Sequence, residues 1–180
     1  ESTEAKLAID ESVRRIRAIA LVHETLANET TDDVSLSEVA EMLARTAQDS
    51  FTSPDRPIHF EVQGDAGLVP SDIVTPLAVV LNELLQNTVD HAFTREVPFI
   101  QGSAGLVEIL LDRTDKELKM AVRDNGFGVP EDFDSESQQG LGLSIIRGLV
   151  ITELSGSIEV RRRSDASGSE ALIEVPLPDN

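Results

Sequence analysis

The stretch that most narrows what this chain can become is SDIVTPLAVVLNELLQNTVDHAF, residues 71–93. Its pattern is that of one long helix: Leu77, Leu81, Leu84 and Thr88 share a face, and Pro76 lies close enough to the first turns to be tolerated. Ser71 is placed to cap its N-terminus. On another edge Glu83, Asn87 and Asp90 recur at spacings of four and three, a carboxylate, an amide and a second carboxylate in line. Alone, such an edge is usually a solvated face.

The segments around that helix supply a sheet for it to cover. IHFEVQG (58–64) alternates apolar and polar residues as a strand does. LVEILLDRT (106–114) and ELKMAVRDN read as two more, joined by a tight hairpin at Asp115 and Lys116. SIEVRRR and SEALIEVPL form a last pair connected through SDASG. Ser35 and Glu38 make a capping box that opens the helix LSEVAEMLARTAQDSF, while NETTDDVS (28–35) reads as a polar loop and SPDRP as punctuation. Residues 94–105 read as a loop. GFGVPEDFDSESQQG (126–140), poor in apolar residues, reads as a mobile one. LGLSIIRGLVITEL (141–154) reads as a single helix. This order predicts an α+β fold, a two-layer α/β sandwich with a mostly antiparallel sheet and helices on one face.

An extra amphipathic helix precedes it. Ile9, Val13, Ile16, Ala20, His23 and Ala27 alternate spacings of four and three, the stripe of a helix lying lengthwise against a partner helix. The expected division is residues 1–28 for this helix and 35–180 for the sandwich. The chain of 180 residues carries 33 acidic and 15 basic side chains, a net charge of -18. That balance opposes nucleic acid and anionic lipid as partners. The absence of cysteine removes disulfides, thiolate nucleophiles and cysteine-type zinc sites, and fits a reducing cytoplasm. Apolar runs fall far short of the roughly 20 residues that span a bilayer, and a start at Glu1 suggests an excised fragment.

Two further segments carry chemistry. In RDNGFGV, Asp124 ends a strand and is followed by Gly126 and Gly128; the glycines allow close backbone approach, and the carboxylate can accept from an exocyclic amine. A plain turn explains the same residues equally well. In GLGLSII, Gly140 and Gly142 precede a helix starting near Leu143, where free N–H groups suit phosphate. The pattern is neither a P-loop nor a Rossmann fingerprint.

In order and spacing, the edge of the long helix and these two segments resemble the N, G1 and G2 boxes of the GHKL ATPase superfamily, whose Bergerat fold binds ATP between helices and a mobile lid. The resemblance spans residues 35–177. ELLQNTVDHAF and GLGLSIIRGLVITELSGSIEV are most similar to the second histidine-kinase group (HisKA_2, related to HWE kinases), and GSEALIEVPLP resembles the closing strands of the histidine-kinase branch. The resemblance implies ATP and Mg²⁺ as cofactors. Asn87 would hold Mg²⁺ against the phosphates, and Glu83 would act in catalysis by positioning a water or polarising the reacting group. Asp124 would accept from the adenine amine, with Gly126 and Gly128 admitting the base. Gly140 and Gly142 would hinge the lid and present N–H groups to the phosphates, and Leu141, Leu143 and Ser169 would join the ATP site; His91 matches the family's histidine after the asparagine, where a phosphate contact and a plain place on the helix surface are equally open. Asp90 departs from the lysine many relatives carry there, and its charge would repel the triphosphate.

ESVRRIRAIALVHETLA resembles the second helix of the family's dimerisation hairpin. The acceptor motif HHRxKNN of the first helix is absent. His23 and Glu24 lack the proline of an HExxxP acceptor box, so His23 is expected to pack on the seam. The implied protein is a sensor histidine kinase fragment that binds ATP, forms a homodimer, takes its acceptor histidine from a missing hairpin helix and serves a response regulator receiver domain. An anti-sigma-factor type serine kinase and a degenerate nucleotide-binding scaffold are the competing readings.

Overall fold

The computed structural model describes Ala20 and residues 33–93, 104–130 and 141–177. The helix expected over 1–28, with His23, lies outside the described residues apart from Ala20, which is helical and exposed. Gly140 and most of the expected mobile loop lie outside them too.

The elements run β1 (Asp33–Ser35), α1 (Leu36–Phe51), β2 (Ile58–Gly64), β3 (Leu68–Pro70), α2 (Ser71–Ala92), β4 (Gly105–Arg113), β5 (Glu117–Asp124), α3 (Leu141–Arg147), a π-helical stretch Gly148–Glu153, β6 (Ser157–Arg162) and β7 (Ser169–Pro176). Five strands form one sheet in the order β2-β4-β5-β7-β6. Only β2 and β4 pair in parallel; α2 lies in the crossover between them, and the other pairings are antiparallel. β4 alternates between buried and more exposed positions from Gly105 to Asp112, while β5 and β7 also bury Ala121 and Glu170 between their core-facing residues. Ile109, Met120, Val122 and Ile173 enter one core with Leu43 of α1 and Leu77, Leu81 and Leu85 of α2. The opposite face carries Glu108, Arg123, Glu170 and Arg161 in a single cross-strand row of alternating charge. The fold is the expected α+β sandwich, built by a period of two in the strands and a broad apolar surface on α2.

Local signals act as their chemistry requires. Ser35 Oγ accepts from the Glu38 N–H at 3.2 Å and caps α1, worth about 1 kcal/mol. The β4–β5 hairpin closes around Asp115 and Lys116, with the Thr114 N–H donating to the Glu117 carbonyl at 2.8 Å.

Three expectations are corrected. Residues 33–35 are strand, not loop: Val34 pairs with Val69, both buried, in a ribbon apart from the main sheet. Three-residue strands are too short to show a period. Ser71 is the first residue of α2 rather than its cap; Pro70 holds the cap position with ψ 138°, still extended from β3. The segment 141–154 is helical but not one α-helix. It starts at Leu141, and from Gly148 it widens to a π-helix, with the Leu154 N–H donating to the Leu149 carbonyl at 2.9 Å. A glycine followed by Val150, Ile151 and Thr152 weakens α winding where the switch occurs.

Candidate nucleotide-binding site

The site is assembled where three elements end. β5 delivers Asp124 on the core-facing side of the sheet, in register with Val107. The carboxylate is 4% exposed. The Gly126 N–H donates to its Oδ1 at 2.8 Å and the Ser169 N–H to its Oδ2 at 3.2 Å. Burial raises its pKa above the ordinary 3.8, while the Gly126 and Ser169 donors and the charge of Arg163 pull it partway back. A carboxylate held this way is costly to the fold and fixed in direction.

Ser169 secures the arrangement: its hydroxyl bonds to Asp124 and its Oγ accepts from the Val129 N–H at 3.0 Å. Ser169, expected among the ATP contacts, also orients Asp124. Gly168 precedes it at φ 108°, and a Cβ there would collide with the Asp124 carbonyl oxygen. Arg163, which sequence reading did not single out, donates to that same carbonyl oxygen at 3.3 Å and pairs with Asp165 at 3.0 Å. Its only signal was a place in the basic run RRR.

α2 meets this loop at its C-terminal end. The Phe127 N–H donates to the Ala92 carbonyl at 3.3 Å, and a Cβ on Gly126 would stand 2.8 Å from the Ala92 Cβ. Gly126 is therefore needed for close approach. Gly128 takes φ 74°. Phe127 exposes nearly half of its surface beside the loop.

Along α2 the polar edge grades from inside to outside. Glu83 is 2% exposed, Asn87 half-buried, and Asp90 and His91 exposed. The edge is thus not a solvated face: a carboxylate as deep as Glu83 calls for a reason beyond solubility. α3 packs against α2. Gly142 is buried in its first turn and Leu143 packs half-buried on the core. These residues, with Leu141, are inside the helix rather than before it. Among the described residues no group of three or more His, Asp or Glu side chains is placed to hold a metal ion. One amide oxygen, Asn87, fits a hard cation that takes its remaining ligands from phosphates and water.

The α+β sandwich, with α2 and α3 packed on one another, is that of an ATPase domain, as comparison with known families shows. Residues 73–179 match the family model for histidine kinase-, DNA gyrase B- and HSP90-like ATPases, and residues 1–51 match the HisKA_2 histidine kinase model. The chain belongs to the histidine kinase-, DNA gyrase B- and HSP90-like ATPase family. Within it, the chain carries the ATP-binding domain of the sensor histidine-kinase branch. It is 37% identical to the sensor histidine kinase PdtaS of Mycobacterium tuberculosis over 98% of its own length and 34% of that protein. It is 30% identical to the blue-light-activated histidine kinase 2 of Erythrobacter litoralis over 67% of its length and 32% of that protein. Among solved structures, the histidine kinase domain of a blue-light activated histidine kinase from Erythrobacter litoralis superposes with a TM-score of 0.72 at 25% identity, covering 92% of this chain and 74% of that one. The chain thus spans about a third of the length of the curated relatives it matches. No helix among the described residues is long and apolar enough to cross a membrane.

Proposed function

We propose that this chain is the ATP-handling part of a two-component sensor histidine kinase, which transfers the γ-phosphoryl of Mg·ATP to a histidine outside this chain and thence to an aspartate of a response regulator receiver domain. The observation that carries the reading is the buried Asp124 carboxylate, aimed by Gly126 and Ser169 and pressed against the end of the helix that bears Glu83 and Asn87. Asp124 accepts from the adenine amine, and Gly126 and Gly128 leave room for the base. Asn87 would hold Mg²⁺, which would supply charge neutralisation at the phosphates. His91, and the lid hinge at Gly140, Leu141, Gly142 and Leu143, complete the phosphate end.

In the transfer the bond from the γ-phosphorus to the bridging oxygen breaks, ADP leaves, and an imidazole nitrogen bonds to phosphorus. Glu83 accepts a hydrogen bond from the other ring N–H and so raises the nucleophilicity of the attacking nitrogen. We assign residues 1–28 to the second helix of a dimerisation hairpin and 35–180 to the catalytic domain. The acceptor histidine belongs to the first helix of that hairpin, and the seam at Ile9, Val13 and Ile16 to a homodimer.

Titration with a non-hydrolysable ATP analogue, with and without Mg²⁺, tests the binding half. Affinity should rise with Mg²⁺ in the wild type and lose that dependence in Asn87→Ala. Radiolabelled ATP should leave the chain alone unlabelled and label a hairpin supplied in trans. Acid-labile label on His23 would overturn the assignment, and binding without transfer to the added hairpin would favour a scaffold module.

A further inference from the structure

Arg56 lies far from Asp124 in sequence, in the turn SPDRP that links α1 to β2. That turn is held from both sides: the Ser53 N–H donates to the Arg56 carbonyl at 3.1 Å and the Arg56 N–H to the Ser53 carbonyl at 2.9 Å. Its side chain crosses to the C-terminus of α2, where one guanidinium nitrogen donates to the carbonyls of both Val89 and Phe93. The last carbonyls of a helix have no intrahelical donors, and a cation there is favoured by the helix dipole. The same helix end carries Asp90 and His91, and through Ala92 it touches Gly126 and Phe127. Phe93 is buried, its ring 3.0 Å from where a Cβ on Gly105 would stand. The seat of the α2 terminus is therefore fixed on one side by Phe93 and on another by Arg56.

We propose that Arg56 is a positioning residue for the nucleotide site: its guanidinium, by gripping the α2 terminus, sets the distance between the Asn87 edge and the Asp124 loop. It touches no nucleotide. Its effect passes through the Ala92 to Phe127 hydrogen bond, which closes only when the helix end stands where Arg56 holds it. The inference rests on the functional reading above for its consequence in binding, and on the contacts of Arg56 and Ala92 alone for its mechanical part.

The test compares two arginines of like chemistry. Arg113 also donates to two backbone carbonyls, Ala66 and Leu68, but between β4 and the segment that enters β3. Arg56→Gln and Arg113→Gln should lower thermal stability alike. Only Arg56→Gln should speed hydrogen exchange at the Phe127 amide in the free protein and weaken Mg·ATP-analogue binding by roughly tenfold, as expected for loss of a charge-assisted contact. Arg56→Lys, which keeps the cation, should recover part of both. Guanidinium ion at sub-denaturing concentration should rescue Arg56→Ala in both readouts. Unchanged Phe127 exchange in folded Arg56→Gln, or equal loss of affinity in Arg113→Gln, overturns the proposal. Accelerated Phe127 exchange in a protein whose wild type binds no nucleotide would keep the clamp and sink the kinase reading instead.

Discussion

Two carboxylates near the same end of the sheet are buried to the same degree and do opposite things. Asp124, at the end of β5, is 4% exposed, and Glu170, near the start of β7, is 5% exposed. They lie on opposite faces. Glu170 is gripped by Arg123 and by Arg161, the latter through its Nε at 2.9 Å. Burial alone would raise its pKa, but the hydrogen bonds and charges of the two arginines reverse the shift, and it sits below the ordinary 4.5. Asp124 has backbone N–H donors instead of a paired guanidinium, so burial wins and its pKa is raised. A buried carboxylate paired directly with cations is part of the framework; one hydrogen-bonded to neutral donors, with the nearby Arg163 charge too weak to offset burial, keeps acceptor capacity for something that arrives later.

The contrast breaks most severely at Gly168. Gly168→Ala would place a Cβ into the Asp124 carbonyl at a φ of 108° that alanine resists. The expected cost is about 3–5 kcal/mol, measured by urea denaturation, together with loss of nucleotide binding. Retention of both would mean that β7 does not set the position of Asp124. Asp124→Asn should separate stability from function. An amide cannot accept from the two backbone donors and the adenine amine as a carboxylate does, so analogue affinity should drop about a hundredfold, or roughly 2–3 kcal/mol. Stability at pH 7 should stay level or rise, because a desolvated charge has been removed. Unchanged affinity would sink the site.

Glu170→Gln should do the reverse. It leaves Arg123 and Arg161 without their shared anion, but both are partly exposed, so the loss is about 1–2 kcal/mol of stability. Nucleotide affinity should remain that of the wild type. A parallel loss of affinity would show that the outer charge row supports the site.

How far these features were readable from the chain differs by residue. Alternation in IHFEVQG marked β2 to the residue, and the capping box at Ser35 and the hairpin at Asp115 are local chemistry that needs no tertiary help. Asp124 with its glycines was visible because turn and ligand loop share the same short motif. The pairing of Glu170 with Arg123 was not, since it depends on β5 and β7 meeting in one register across 47 positions of sequence. Arg56 hid in a turn for the same reason: its partners are 33 and 37 residues away. The depth of Glu83 escaped a helical wheel because α2 is covered on most sides, which only packing against α1, α3 and the sheet decides.

The smallest effect to seek is a pH dependence that runs in opposite senses for the two groups. Asp124 titrates above 3.8 in the folded chain, so its ionisation opposes folding: its contribution to stability is greatest below the unfolded value and declines as pH rises through the folded one. Binding runs the other way. Both oxygens accept from backbone N–H groups, so a proton on either must displace one donor, and affinity should begin to fall at a pH above 3.8 as acid is added. Glu170 is depressed below 4.5, so its contribution to stability is present above 4.5 and is lost only as pH falls through its lower folded value. Titrated downward from neutrality, the protein should therefore lose nucleotide affinity as Asp124 takes up a proton, a step that itself favours the fold, whereas the outer charge row weakens only below 4.5. Isothermal titration at a series of pH values, read beside denaturation curves of the wild type and both variants, would separate the two dependences. In Asp124→Asn the acid dependence of the residual affinity should flatten, and in Glu170→Gln the affinity profile should overlay the wild type. An Asp124→Asn profile as steep as the wild type would place the titrating group elsewhere.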